Sequence, residues 1–283
     1  MIYVSSSCVR HKKIAESVTE LASNGFRNIE LSGGTEHYDG FESDLLELKA
    51  KFNLNYLCHN YFPPPKEHFV LNLASFDDGI YKKTIEHLKC ALKLSKELGV
   101  PKFGFHAGFF VDIRTDEIGK KINKKTVNDY EKATERFING YREVAAYADG
   151  LEIYLENNVF SRTNYETYGG ENIFMLCTSA SYYELAEQIN FKLLLDAAHL
   201  KVSCNTLGLD FGAELKTMLE LSDYIHLSSN DGLHDQNHPL AEDKELISML
   251  KQHNLEGKDF TLEIYGGLDV VHDSLVILQE LGL

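Results

Sequence analysis

Several features are missing from this 283-residue sequence. No uninterrupted apolar stretch approaches the roughly 18–20 residues that a membrane-spanning helix needs, so we expect no membrane span. The N-terminus runs directly into polar sequence without a basic segment and a long apolar segment, so we expect no signal peptide. The five cysteines are scattered and form no Cys-x-x-Cys pair, which argues against a disulfide framework or a thiolate zinc site. Together these absences predict a cytoplasmic protein.

Positive charge is also scarce. The chain has 28 Lys plus Arg against 43 Asp plus Glu, which gives a formal net charge of −15. Phosphate backbones are held mainly by Lys and Arg, so this balance disfavours nucleic acid as a partner, although a local basic face would be compatible with it. The hydrophobic share of 43% and the charged share of 25% are typical of a globular protein, and the chain is long enough to bury a large core.

Short apolar runs alternate with longer amphipathic segments along the chain. Consecutive apolar positions rich in β-branched and aromatic residues predict strands that are buried on both faces. The runs are Ile2–Ser5, Asn28–Leu31, Leu54–Cys58, Lys102–Phe105, Leu151–Leu155, Phe191–Leu195, Tyr224–Leu227 and Phe260–Ile264. The clearest helical segments are His11–Ser23, Lys82–Leu98, Asp129–Ala148, Tyr182–Ile189, Ala213–Leu221, Lys244–His253 and Val270–Leu281.

This alternation predicts an α/β protein with a parallel sheet and right-handed crossovers. Eight strand–helix units in a chain a little longer than the typical ~250 residues favour a closed (β/α)₈ TIM barrel, with residues 1–283 as a single domain. An open doubly wound sheet is the alternative. That fold would be expected to carry a Gly-x-Gly-x-x-Gly turn after an early strand, and the sequence has none.

Polar, metal-binding residue types stand at the ends of six consecutive predicted strands. His59, His106, Glu156 and Asp196 directly follow their strands, His226 lies within the end of the seventh and Glu263 near the end of the eighth. The C-terminal strand ends of a TIM barrel form the active-site face, so barrel closure would bring these side chains to one rim. One such residue alone is more often a hydrogen-bonded rim residue, but six in succession favour a metal site. Mixed imidazole and carboxylate ligands suit Zn²⁺, Mn²⁺, Co²⁺ or Fe²⁺ better than Ca²⁺.

Further candidates lie just beyond two strand ends. His199 follows Asp196 by three residues, as an additional metal ligand or a substrate contact. The segment after the seventh predicted strand is rich in turn-forming polar residues, and many of its side chains are expected to form only a polar turn. Within it, Asp235 and His238 are the better candidates for metal ligation or substrate binding.

An ordered set of short motifs covers nearly the whole chain and resembles the xylose isomerase-like barrel superfamily. The motifs are His59-Asn-Tyr-Phe-Pro, Leu71-Asn-Leu-Ala-Ser, Phe103-Gly-Phe-His-Ala-Gly, Leu155-Glu-Asn-Asn, Leu195-Asp-Ala-Ala-His, Ile225-His-Leu-Ser-Ser-Asn-Asp-Gly and Thr261-Leu-Glu-Ile. The superfamily contains sugar and sugar-phosphate isomerases and epimerases. It also contains the endonuclease IV group, which cleaves DNA at abasic sites with three metal ions.

The resemblance to the isomerase branch implies one divalent metal, with Zn²⁺, Mn²⁺ or Co²⁺ favoured. Its ligands would be Glu156, Asp196, His226 and Glu263. The two glutamates would exchange a proton with the substrate through a metal-stabilised enediolate, which is sound chemistry for adjacent carbonyl and hydroxyl groups. Substrate contacts are expected from His199, His106, His59 and Asn158. The expected partner is a small sugar or sugar phosphate, and a homo-oligomer is compatible with the sequence, which leaves the sugar and the oligomeric state open.

The endonuclease IV branch implies a different activity, a multinuclear zinc phosphodiesterase acting on abasic DNA. His59 and His106 match two extra imidazole ligands of that group, and Asp235 with His238 could supply two more. The sequence departs from the group's pattern at Asp196-Ala-Ala-His, at Asn230-Asp-Gly-Leu and at Asp235-Gln-Asn-His, which lacks an arginine. These changes remove phosphate-facing positive charge. A third hypothesis is a barrel without catalysis that binds a sugar or a partner, because a fold does not fix a function.

Overall fold

The computed structural model describes residues 1–283, and at its centre eight parallel strands form a closed barrel. Each strand pairs with the next along the chain, and the last pairs with the first. This confirms the predicted (β/α)₈ barrel. The strands are β1 (Ile2–Ser5), β2 (Asn28–Leu31), β3 (Asn55–His59), β4 (Lys102–His106), β5 (Glu152–Glu156), β6 (Lys192–Asp196), β7 (Ser222–Leu227) and β8 (Asp259–Leu262).

Strands β3 to β6 end one residue later than the apolar pattern predicts. The last residues of these strands are therefore His59, His106, Glu156 and Asp196, all of them candidate ligands. The backbone ladder runs through them, because His106 is in register with Glu156 and Asp196 with His226. Backbone pairing does not depend on side-chain polarity, so the strands continue after the apolar run has stopped.

The helices follow the strands along the chain. They are α1 (Ile14–Ser23), α2 (Phe41–Phe52), α3 (Asp78–Glu97), α4 (Tyr130–Ala148), α5 (Arg162–Thr167), α6 (Ser179–Ala186), α7 (Ala197–Leu207), α8 (Phe211–Leu221), α9 (Lys244–Leu250) and α10 (Leu268–Glu280). All seven predicted helices are present with shifted ends, and α2, α5 and α7 are additional. Asp77 and Asp129 cap α3 and α4, where each carboxylate accepts a backbone N–H of the first turn. None of the helices has the length and apolarity that crossing a membrane requires.

Two apolar clusters organise the interior. The larger contains 68 buried residues and fills the barrel and the layer between strands and helices. The smaller contains nine buried residues, eight from the segments that follow β4 and β5, with Phe109, Phe160 and Phe174 among them, and Val70 from the segment that follows β3. The second cluster therefore lies at the end of the barrel where the polar strand-end residues emerge.

Gly104 in β4 makes room for a site residue. A Cβ atom at this position would lie 2.7 Å from a Leu194 methyl group and 3.1 Å from the His59 ring. Real Cβ atoms rarely approach other atoms so closely, so a larger residue would displace the imidazole or the leucine. The glycine thus allows His59 to lie against β4 inside the barrel.

Candidate metal centre

A cleft of about 630 Å³ opens at the C-terminal end of the barrel. Six of the candidate side chains predicted from the sequence line it: His59, His106, Glu156, His199, Asp235 and Glu263. His226 and Asp196 lie beneath them and are almost fully buried. Barrel closure has thus brought together residues that are up to about two hundred positions apart in the chain, as the strand-end pattern predicts.

Glu156 lies at the centre of the cluster. Its Oε2 accepts a 2.6 Å hydrogen bond from His59 Nε2 and lies 3.1 Å from His106 Nδ1. Its Oε1 lies 3.6 Å from both His199 Nδ1 and His226 Nδ1. Four imidazoles from four different elements therefore surround one carboxylate that is fully buried.

His226 is held between carboxylates at both ring nitrogens. Its Nε2 lies 3.0 Å from Oε2 of Glu30, which is fully buried in β2 and also accepts hydrogen bonds from Thr261 and Tyr224. A carboxylate can only accept, so Nε2 carries the hydrogen. The other nitrogen, Nδ1, faces Glu156 and lies 3.5 Å from Glu263 Oε2. Glu30 thus orients the imidazole so that Nδ1 points into the cluster.

A second hydrogen-bonded set positions Asp196 and His199. The amide of Asn157 bonds to both backbone groups of Asp196, at 2.8 and 3.0 Å, and the Asp196 carboxylate caps α7 by accepting the His199 N–H. The His199 Nδ1 donates to the Asn157 carbonyl at 3.0 Å, which leaves Nε2 3.5 Å from Asp235. The Nε2 atom of His199 is therefore the one directed towards Asp235 in the cleft.

The electrostatics of the cluster follow from burial and close contact. Burial lowers the pKa of His106 to about 4, in spite of the nearby Glu156, and burial raises the pKa of Asp196 to about 6. Burial opposes ionisation of Glu156 as well, but His106, His59 and His226 together hold its pKa well below the usual range. Burial lowers the pKa values of His226 and His199, but the neighbouring carboxylates outweigh burial and raise both values well above the usual range.

The chemistry of the donor set fits a divalent cation. Three groups have ligand atoms within 4.8 Å of one another: Glu30, His59, His226 and Glu263; His59, His106 and Glu156; and Glu156, Asp196 and His199. Four buried polar atoms of the cluster have no hydrogen-bond partner: Glu30 Oε1, Glu156 Oε1, His226 Nδ1 and His106 Nδ1. Buried polar atoms rarely remain unpaired, so a ligand on them is the simplest explanation. The three groups overlap, and together they contain eight residues with donor atoms, which is enough for more than one ion.

The side chains of two predicted site residues, His238 and Asn158, make contacts outside the carboxylate and imidazole cluster. The His238 ring pairs with Glu242 at 3.3 Å and is half-exposed, whereas Asn237, its neighbour in sequence, lines the cleft. The Asn158 side-chain amide donates to the carbonyls of Ala107, Gly108 and Met175, so it ties the segments after β4 and β5 together. The ligand role of His238 and the substrate role of Asn158 remain predictions.

The sequence reasoning missed Glu30 and Asn157. Glu30 lies inside the apolar run Asn28–Leu31, and an acidic residue in a strand buried on both faces was itself a signal, because such a carboxylate needs partners. Asn157 stands beside the predicted Glu156, but nothing in its local sequence distinguishes its role from that of Asn158. Only the folded chain shows that Asn157 fixes the backbone of Asp196.

Comparisons with known proteins agree with this architecture. A family model described as "Xylose isomerase-like TIM barrel" matches residues 18–281. The curated protein "Probable endonuclease 4" from Sulfurihydrogenibium sp. is 26% identical over 197 residues, which is 68% of this chain and 60% of that protein. The chain thus matches less than two thirds of the length of this relative.

Solved structures of similar fold come from both branches of the superfamily. A D-tagatose 3-epimerase-like protein superposes with a TM-score of 0.74 at 18% identity, and covers 99% of this chain and 96% of its own. D-psicose 3-epimerase from Clostridium cellulolyticum gives 0.65 at 16% identity, with 99% and 91% covered. Endonuclease IV from Thermus thermophilus gives 0.63 at 16% identity, with 99% and 98% covered. At these identities the likeness concerns the fold alone.

Proposed function

Because the chain belongs to the xylose isomerase-like TIM barrel family, we propose that it is a divalent-metal-dependent isomerase or epimerase of a sugar or sugar phosphate. The observation that carries this proposal is the pair Glu156 and Glu263. Glu156 ends β5 and Glu263 follows β8, yet their carboxylates lie 3.6 and 3.5 Å from the same nitrogen, His226 Nδ1. Both carboxylates lie at the floor of the cleft: the Glu263 side chain is partly exposed there, whereas Glu156 is buried beneath the imidazoles that surround it.

Both glutamates are in the form that can accept a proton. Burial raises the pKa of Glu263, but the nearby His226 and His59 outweigh burial and bring the value to about 2. The pKa of Glu156 is likewise well below the usual range. Both side chains are therefore carboxylates at neutral pH, and because such low pKa values make them weak bases, proton exchange requires a substrate C–H bond that a bound cation has acidified.

The proposed ligands of the metal are Glu156, Asp196, His226 and Glu263, and Zn²⁺, Mn²⁺ or Co²⁺ fits these donors. Such a cation supplies Lewis acidity to neighbouring carbonyl and hydroxyl oxygens and so acidifies the C–H bond between them. The Nε2 of His199 is available for a substrate hydroxyl, because its Nδ1 is bonded to a backbone carbonyl. His59 donates to Glu156 and so fixes the orientation of that carboxylate.

The test is exchange of substrate hydrogen with solvent. Protein loaded with Mn²⁺, Co²⁺ or Zn²⁺ is incubated with ketohexoses and their phosphates in D₂O, and loss of the C–H signal next to the carbonyl is followed by NMR. We expect exchange with at least one ketose, and a loss of at least about 10²-fold in Glu156→Gln and Glu263→Gln, as for a missing general base. Glu280→Gln, at an exposed position on α10, is the matched control. Retained exchange in either site variant would rule out the two-carboxylate mechanism.

A second candidate is a multinuclear zinc phosphodiesterase that acts on abasic DNA. The observation that favours it is the overlap of the three ligand groups, in which His59 and His106 reach the same Glu156 oxygen. Cleavage of an abasic duplex by the zinc-loaded protein, with salt-sensitive binding, would establish this activity in place of the first. His59→Ala distinguishes the two: it would delete a metal ligand of a nuclease, whereas an epimerase would lose activity only modestly.

A further inference from the structure

A separate chamber of about 130 Å³ adjoins the metal-site cleft. The two spaces share five lining residues: Tyr61, His106, Ile118, His199 and Asp235. The rings of His106 and His199 have their centroids 5.7 Å apart. A molecule bound at the metal site therefore has the chamber directly beside it.

The wall of the chamber has an apolar side and a polar side. Eight of its twenty lining residues are hydrophobic, among them Phe109, Ile113, Val159 and Phe174, and apolar atoms make up the larger part of its surface. Polar side chains such as Asn158, Ser161, Thr163 and Asn164 complete the lining. Several of the hydrophobic residues belong to the second apolar cluster, which is separate from the barrel core. An apolar cavity of about 150 Å³ binds benzene, so the chamber has the volume for a group of comparable size.

The wall is also firmly attached. The buried carboxylate of Glu117 accepts hydrogen bonds from Lys125 Nζ at 2.8 Å and from the backbone and side chain of Asn123 at 3.1 and 2.7 Å. Asn164 of α5 accepts the Ile122 N–H at 2.8 Å and donates to the Lys120 carbonyl at 3.2 Å. These contacts hold the segment 114–125 against α5, so the chamber is a preformed space.

The charges around the chamber do not favour an anion inside it. The two lysines of the lining, Lys120 and Lys121, are both exposed to solvent. The imidazoles of His199 and His234, which also line the chamber, already face carboxylates, Asp235 at 3.5 Å and Asp231 at 2.8 Å. Glu117, the buried charged group, is already paired with Lys125. A phosphate in this space would lose most of its hydration against apolar side chains, which is costly. An apolar group would instead gain contact area without such a loss.

We propose that this chamber is a substrate subsite for a compact apolar substituent, such as a deoxy-sugar methyl group or a short acyl chain. The identification of the carrier as a sugar rests on the proposed function, but the preference for an apolar group rests on the chamber alone. The sugar's oxygen atoms lie at the metal cluster, and the substituent passes beside His106 and His199 into the chamber.

Toluene and a matched pair of ketoses test the subsite in the metal-loaded protein. Toluene should raise the melting temperature in a saturable way, because it binds the folded state. L-Fuculose, which has a methyl group where L-tagatose has a hydroxymethyl group, should bind about tenfold more tightly, which is the selectivity that an apolar pocket can supply. Val159→Phe should abolish both effects by filling the chamber. Val276→Phe, at an exposed position of α10, is the control and should retain them.

Each outcome has a defined meaning. Absence of toluene binding, or equal binding of the two ketoses, overturns the subsite. A rise in melting temperature with inorganic phosphate that Lys121→Ala removes also overturns it, in favour of an anion site. Toluene binding and the fuculose preference without any hydrogen exchange in D₂O would overturn the proposed isomerase activity and leave the subsite standing. If Val159→Phe fails to fold, Ile113→Phe on the opposite loop provides the second filling variant.

Discussion

At the scale of single residues, one hydrogen bond determines how the cluster presents its ligands. Oε2 of Glu30 accepts a hydrogen bond from Nε2 of His226, with 3.0 Å between the two atoms, and Nδ1 consequently faces Glu156 and Glu263. Partners of this kind, which contact a ligand and not the ion, fix the ring orientation and the tautomer. An imidazole turned or protonated the other way would present the wrong atom to the cation.

We therefore predict that Glu30→Gln weakens metal binding while the protein remains folded. A glutamine amide can donate to Nε2 and so favour the wrong tautomer, and loss of such a partner typically costs about 10–100-fold in affinity. Titration of Zn²⁺ or Mn²⁺ in competition with a chelator measures this. Thr261, the β8 partner of His226 in the strand register, donates another hydrogen bond to Glu30. Thr261→Val removes this bond but keeps the one between Glu30 and His226 Nε2, so it should bind metal nearly as well as the parent protein. Unchanged affinity in Glu30→Gln would show that Glu30 has no orienting role.

At the scale of elements, the segments after β4 and β5 shape the site beyond the strand ends. They form most of the second apolar cluster and of the chamber wall, and the segment 114–125 is anchored by one buried carboxylate, Glu117. Burial raises the pKa of Glu117, but Lys125 and the backbone donors of Arg114 and Asn123 outweigh burial and lower it to about 2. Its ionised form therefore stabilises the segment.

Glu117→Gln should loosen this segment. The loss of charge-assisted hydrogen bonds costs about 1.5–3 kcal/mol, so the Ile122 amide, bonded to Asn164, should exchange with solvent about 10–100-fold faster. Asp116→Asn removes an exposed pair with Arg114 in the same segment and should change exchange by less than about fivefold. Equal effects of the two variants would contradict the anchoring role of Glu117.

The same carboxylate gives the segment a pH dependence. Because the pKa of Glu117 in the folded state is lowered, its contribution to stability is fully present above the ordinary value of 4.5 and is lost as the pH falls towards about 2. Protection of the Ile122 amide, corrected for its intrinsic exchange rate, should be constant from pH 7 to 5 and then decrease. In Glu117→Gln this decrease should be absent.

At the scale of the whole molecule, closing the barrel concentrates ionisable groups at one end. Glu156, Asp196 and Glu263 lie close to the imidazoles of His199 and His226, whose pKa values are raised well above the usual range. A cation on these donors must displace protons from the imidazoles, so metal affinity should rise with pH. Because only the closed barrel assembles the donors, we expect metal binding to be coupled to folding.

Metal should therefore stabilise the protein measurably. At about 100 times the dissociation constant, a ligand specific for the folded state adds about 2.7 kcal/mol. For a chain of this length we expect a rise in melting temperature of about 5–10 °C with Zn²⁺, Mn²⁺ or Co²⁺, larger at pH 8 than at pH 6. Calorimetry with and without chelator measures it. His226→Asn should lose most of the increment and His68→Asn, at an exposed position, should retain it. No increment with any of these ions would exclude a metal centre here.

Much of this architecture could be predicted from the sequence, because the periods of strands and helices are local properties. The apolar runs predicted all eight strands, and the polar residues at the ends of six of them pointed to one rim. The strand ends were predicted one residue too early at β3 to β6, since the apolar pattern stops at the polar candidate residue while backbone pairing continues through it. The ordered motifs were sufficient to indicate the family that the family model confirms.

The sequence by itself determined the barrel, its family and the identities of six polar residues that line the cleft. Only the tertiary structure decided which atoms meet: that Glu156 is the shared centre, that Glu30 orients His226, and that Asn237 lines the cleft while His238 turns to Glu242. These are contacts between segments far apart in the chain, or directions of side chains in irregular loops. Neither the distant contacts nor the side-chain directions leave a periodic signal in the sequence, because both depend on how barrel closure and loop packing place groups in three dimensions.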